Sequence, residues 1–306
     1  MTAPTQPVSP AAVLRHLQWL CQAPPLINSE LTLDVPNYVP ADLNSTLERL
    51  ALAPAQVMSY VDPGTRRLGH YFEHLYHLLL EQVLGWQVLA RNLPIRMATG
   101  QTLGELDFIV RNPHSGQVEH HEIAVKFYLG LPVPGYPLRW YGPDTRDRLD
   151  RKVNRLLRHQ ATLCQRQETL ASLAARAIPA PECRRVFMPG YLFDPQGQQL
   201  PCPEGINPSH ERGDWQRLDS DTPLPGSHWV MLSKTDWLGR YQQTQEPEPN
   251  RCDAGLTLVA ASNTPRLFAR LAWHPPSQRW VEQQRRFVVP ASWANDVPHT
   301  DHLDRH

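Results

Sequence analysis

The sequence predicts a mixed α/β fold of the α+β kind, with an N-terminal helical segment, a central core and a C-terminal β-rich appendage. Three observations carry this. Leu68, Phe72, Leu75, Leu79 and Val83 form an apolar stripe at helical spacing over residues 65–84. Leu103 to Tyr128 holds two alternating runs around Asn112-Pro113-His114-Ser115-Gly116, the pattern of a hairpin. From Asp144 to about Ala175, Leu149, Val153, Leu156, Leu157, Leu163 and Cys164 mark the buried arc of a long helix, with Asp144 as its cap. A strand candidate at 87–95 and another at 184–193, broken at Pro189-Gly190, complete the core order: helix, strand, strand, strand, helix, strand. The expected segments are 1–60 (helical), 61–193 (core) and 194–306 (appendage).

The elements follow in order. The N-terminus, MTAPTQPVSP (1–10), reads as a short flexible lead-in, and Ser9-Pro10 opens a helix to Cys21 that Pro24-Pro25 stops. A short helix is expected over 40–50. On the 65–84 helix, Glu73 falls at the border of the apolar stripe, and Gly69 one turn earlier would permit close approach of another backbone. A boundary glutamate with a packed stem and a solvated head is the plainer account of Glu73. His70, His74 and His77 have metal-compatible spacing but lie with Glu81 on the polar face, opposite the stripe. The loop 130–143 carries Tyr136, Trp140 and Tyr141, as the rim of a cleft would.

After residue 194 the expected strands are 229–232, 256–260, 267–273 and 280–289, with 242–250 as a loop. Six of the nine tryptophans fall in this region, where they serve as core filler or as a base-stacking surface.

Period-2 alternation sorts the central hairpin into faces. Leu106, Phe108 and Val110 share one side of the first run, and Ile123, Val125 and Phe127 one side of the second. If those sides coincide, Asp107, Glu122 and Lys126 share the opposite face. A symmetric turn pairs Asp107 with His121, give or take one residue, which brings Asp107 and Glu122 within metal-bridging reach. Such groups on inner strands are costly to desolvate without a function. A hairpin with one wet face explains the alternation equally simply.

Composition excludes several classes. Thirty acidic residues balance thirty basic ones, so nucleic-acid binding would need a local patch. Five cysteines without metal-ligand spacing argue against a disulfide framework or a zinc site and fit a cytoplasmic protein. No run has the apolar length of a membrane span, and the N-terminus lacks the features of a signal peptide. Only three of the basic residues are lysine: Lys126, Lys152 and Lys234. Between Arg139 and Arg158 seven Arg/Lys face three Asp, a solvated helix face or a phosphate-holding one that includes Arg148 and Arg155.

GHYFE (69–73), GELDF (104–108), EIAVK (122–126) and KVNRLLRHQ (152–160), in this order of elements, resemble the PD-(D/E)XK nuclease superfamily, and more narrowly a bacterial family of restriction-endonuclease-like fold. The resemblance spans roughly residues 61–193 and implies an αβββαβ core with a mixed sheet. It implies Mg²⁺- or Mn²⁺-dependent hydrolysis of phosphodiesters, with DNA favoured over RNA as partner. Asp107, Glu122 and Glu73 would be the metal ligands, Lys126 the lysine at the reacting phosphate, and Lys152, Gln160, Arg148 and Arg155 the substrate contacts. One departure stands out. The usual pattern has a carboxylate two residues before the lysine, where this chain has Ala124. Glu122 lies about 6–7 Å further along the strand. Either Glu122 substitutes from a shifted register, or the chain is a non-catalytic nuclease-fold protein that binds nucleic acid or a protein partner.

Overall fold

The computed structural model describes residues 8–62, 65, 67–218, 224 and 226–297. Most of the expected lead-in, residues 1–7, lies outside them. Along the chain run α1 (Pro10–Gln22), α2 (Leu43–Ala51), α3 (Pro54–Ser59), α4 (Leu68–Leu78), β1 (Gln87–Arg96), β2 (Thr102–Arg111), β3 (Val118–Ile123), β4 (Lys126–Leu131), β5 (Arg139–Tyr141), α5 (Leu149–Arg155), α6 (Gln167–Ala174), β6 (Cys183–Phe187), β7 (Gly190–Pro195), β8 (Glu211–Arg217), β9 (Trp229–Met231), β10 (Gln242–Gln243), α7 (Pro249–Ser262), β11 (Arg266–His274) and β12 (Arg279–Val289). The class is α+β with mixed sheets. Among the described residues, no helix is long and apolar enough to cross a membrane.

Two compact units interleave along the chain, where three consecutive segments were expected. Met1–Val125, Lys152–Gly190 and Pro203–His210 form the first; Lys126–Arg151, Tyr191–Cys202 and Glu211–His306 form the second. The chain leaves the first sheet after β3, builds β4 and β5 into the other sheet, and returns through α5.

The first unit holds a four-stranded sheet in the order β1-β2-β3-β6. β1–β2 and β2–β3 are antiparallel, and β3–β6 is parallel. On one face α4 places Tyr76 against Phe108 and Phe187, with ring centroids 5.2 and 5.4 Å away. The opposite face carries Ile109 and Val118, packed with Leu163, Cys164 and Leu173. With both faces covered, every residue of β3 is buried, so this hairpin has no wet side there. Ser9 caps α1 as expected, its Oγ accepting from the Ala12 N–H at 3.2 Å.

The second unit holds an eight-stranded sheet in the order β5-β4-β7-β8-β12-β11-β9, with β10 beside β12. The β7–β8 and β8–β12 pairs are parallel and the β11–β12 pair is antiparallel. Residues 256–260, expected as a strand, lie inside α7. That run of β-favouring residues is helical because Val259 buries fully beside Phe268, and tertiary packing overrides propensity.

Other expectations also change. The helix expected from Asp144 to Ala175 begins at Leu149, passes through a π-turn at Leu156–Gln160, and is interrupted before α6. Asp144 does not cap it; its carboxylate binds the Arg146 guanidinium. Nothing lies within 4 Å of a Cβ placed on Gly69, so no close approach depends on that glycine. Trp140 and Tyr141, expected at the rim of a cleft, are buried, and Tyr136 is exposed.

Candidate functional site

β2 and β3 pair with Phe108 opposite His121, a register that sets Asp107 opposite Glu122. The expected register, given to within one residue, includes this pairing. Asp107 Oδ2 accepts the Ile123 N–H at 2.9 Å. Glu122 is fully buried, and its two oxygens have different partners. Oε1 meets His120 Nε2 at 3.0 Å, and Oε2 accepts from Gln160 Nε2 at 3.1 Å. Gln160 Oε1 in turn accepts from Lys152 Nζ at 3.1 Å. The expected metal residues Asp107 and Glu122 and the expected substrate residues Lys152 and Gln160 are thereby joined in one network. The π-turn after α5 is what brings Gln160 to the sheet.

Burial dominates the electrostatics. It pushes the Asp107 carboxyl up to about 7, helped by the Glu122 charge and by Glu73, and opposed by the Ile123 N–H. Burial likewise pushes Glu122 up to about 7, against the Lys152 charge and hydrogen bonds from Asp107. Burial drives His120 down to about 4. The His120 ring is therefore neutral near pH 7, and it shares one proton with Glu122 in a hydrogen bond between Nε2 and Oε1. Among the described residues, the buried Nδ1 makes no hydrogen bond of good geometry, although the Ala161 backbone acts on the ring. Sequence reasoning passed over His120, although period-2 alternation puts it on the same face as Glu122.

The remaining candidates stand apart from this network. Glu73 accepts from Asn92 Nδ2 at 3.2 Å and reaches Asp107 only through its charge. Lys126 is the main correction. β3 ends at Ile123, and Lys126 opens β4 in the other sheet, where it donates to Asp147 Oδ2 at 2.6 Å. The expected single face for Asp107, Glu122 and Lys126 therefore does not exist as one strand face. Arg148 donates to both oxygens of Asp150 at 2.6 and 2.7 Å, and Arg155 is exposed. His77 pairs with Glu81 at 3.2 Å, and burial lowers its pKa.

The opposite face of β3 carries a second buried chain. Tyr76 Oη meets His121 Nδ1 at 2.7 Å, His121 Nε2 meets Glu119 Oε2 at 2.8 Å, and Asn112 Nδ2 donates to Glu119 Oε1 at 2.8 Å. Burial would raise Glu119, but His121, Asn112 and Arg185 together hold it below its ordinary value. These groups satisfy one another and lock α4 to the sheet.

Among the described residues, no group of three or more His, Cys, Asp and Glu side chains is arranged to hold a metal ion. Asp107 and Glu122 are a pair, and two carboxylates completed by waters and a phosphate oxygen suffice for Mg²⁺. The donors are of the kind such an ion takes, although both Glu122 oxygens are engaged, by His120 and Gln160, and a cation would have to compete with one of those contacts. Hard oxygen ligands face each other across the two strands, and both carry proton affinities that a cation would lower. Comparison with curated proteins and with solved structures returns no match. A family model described as "Domain of unknown function (DUF1853)" matches residues 15–289, and the chain belongs to that family.

Proposed function

We propose that the first unit is a metal-dependent phosphodiesterase of restriction-endonuclease-like fold acting on nucleic acid, DNA before RNA. The observation that carries this reading is the Asp107–Glu122 pair on neighbouring strands, with Glu122 fully buried and bound by Gln160, which Lys152 in turn holds. The order α4, β1, β2, β3, α5, β6 around one mixed sheet supports it, as does the presence of GELDF and EIAVK at the pair. Asp107 and Glu122 would hold Mg²⁺ or Mn²⁺, which when bound supplies an acidified water and charge neutralisation at phosphorus. Gln160 orients the Glu122 carboxylate through Oε2, while Lys152 fixes the Gln160 amide and adds positive charge. His120 holds the other Glu122 oxygen. Glu73 adds negative charge near Asp107 that favours a cation.

A second reading is a nuclease-fold protein that binds nucleic acid or a protein partner without cutting. The engagement of Lys126 by Asp147 on the second sheet favours it, together with Ala124 at the usual carboxylate position.

The test is cleavage of labelled single-stranded, duplex and branched DNA by the purified protein with Mg²⁺ or Mn²⁺. Cutting is expected, with loss in Asp107→Asn and Glu122→Gln. Gln160→Ala should retain the fold and lose about 10–100-fold in activity. Cutting that survives both carboxylate changes rejects the assigned site. Absence of cutting on every substrate, with binding retained in Asp107→Asn, establishes the second reading. Lys126→Ala decides whether that ammonium takes part.

A further inference from the structure

The balanced net charge leaves nucleic-acid binding to a local patch, and the far end of the β11–β12 ribbon in the second unit has the makings of one. Trp273 and Trp280 are directly opposed across the strands, with ring centroids 6.0 Å apart and planes at 59°. His228 adds a third ring, 4.6 Å from Trp280. Trp273 is 47 % exposed, whereas Trp215, Trp229, Trp237 and Trp293 in the same unit are buried. Core filling accounts for those four and leaves Trp273 unexplained. An indole with an open π-face costs hydration and contributes little packing where it stands.

Charge on the ribbon is one-sided. Arg270, His274 and Arg279 are exposed. The acid on these two strands, Glu282, is buried and bound to Arg285 at 2.6 Å, so it does not offset them. Among the described residues, Arg270 and Arg279 have no acidic partner. Alternation puts the two indoles on one face and the exposed cations on the other. β9 covers the outer edge of β11 only at Arg270–Phe268, which leaves Ala272–His274 uncovered by that strand. An exposed ring on one face and, among the described residues, guanidinium groups without acidic partners on the other, joined around an open strand edge, complement a polyanion whose bases are unpaired and free to stack.

The geometry points to the Trp273–Trp280 ribbon end as a binding site for single-stranded nucleic acid. A base stacks on Trp273 while phosphates reach Arg279 around the stretch of the β11 edge that β9 leaves uncovered. The site stands on different residues from the carboxylate pair, so it can hold or fail independently of the proposed hydrolysis.

The experiment is fluorescence anisotropy of the full-length protein with a labelled oligothymidylate about twenty nucleotides long and with a duplex of equal length. EDTA is present, so that no divalent ion contributes. Preferential single-strand binding is expected, weakened about 5–100-fold by Trp273→Ala and largely kept by Trp273→Phe. Arg279→Ala should lower the slope of log K against log salt by about 0.7. The proposal is overturned by absence of binding at about 50 mM salt, by equal binding of the duplex, or by a Trp273→Ala variant that binds like the parent. If Trp273→Ala fails to fold, Arg279→Ala decides, since an unchanged salt slope also overturns the proposal.

Discussion

Asp107 and Glu122 each carry a proton affinity that an exposed carboxylate would not have, and the consequence can be measured. The folded Asp107 pKa of about 7 lies above its ordinary 3.8, so folding favours the protonated form. Stability from this group is therefore complete below about pH 4 and is lost as pH rises through 7. In EDTA, urea unfolding at pH 5 and pH 8 should show Asp107→Asn gaining on the parent by at least about 1 kcal/mol at the higher pH. A constant difference between the two proteins would mean that the carboxyl is ordinary. His120 belongs to the same scale. It is neutral and fully buried, and it is hydrogen-bonded to Glu122. Residue identity and alternation were enough to nominate Asp107 and Glu122. They did not reveal that Glu122 Oε2 belongs to Gln160, because that bond depends on a π-turn 38 residues away.

At the scale of elements, close approach explains what local propensity missed. α7 crosses its sheet at Gly255, where a Cβ would lie 2.7 Å from the Phe268 ring and 2.9 Å from Met231 Cβ. Gly255→Ala would gain about 1 kcal/mol of helix propensity but displace the buried Phe268 ring and the half-buried Met231, at about 1–3 kcal/mol. The expected outcome is a net loss of stability, seen as a lower Tm. A gain would show that the helix stands off the sheet. The same contact explains why residues 256–260 are not a strand. The β3–β4 break has a related cause. Ile123 and Phe127 are both buried, so the alternation runs on unbroken while the chain passes from one sheet to the other. Sequence alternation marks which residues are apolar and is silent about which sheet buries them, and every residue of β3 is buried whatever its polarity.

For the whole molecule, the proposed cation site predicts linkage between metal and folding. An ion that binds only the folded state stabilises it by RT ln(1 + [L]/Kd), about 2.7 kcal/mol at a hundredfold excess over Kd. Mn²⁺ or Mg²⁺ should raise the Tm of the parent and leave Asp107→Asn unmoved. An equal rise in both would place the ion elsewhere. Differential scanning calorimetry with and without the ion is sufficient. The two interleaved units make a single Tm a composite, so the transition of the first unit is the one to follow.

The sequence by itself determined the α+β class, the capped first helix, the hairpin register to within one residue, and the facing of Asp107 and Glu122. Each of these is set by contacts close along the chain, through capping, periodicity and turn chemistry. Tertiary structure alone decided that Lys126 belongs to a second sheet, that α5 ends in a π-turn presenting Gln160, that Asp144 caps nothing, and that Trp273 stands in solvent. Those outcomes depend on which distant surface covers a residue, and burial by a remote partner leaves no periodic trace in the chain that is buried.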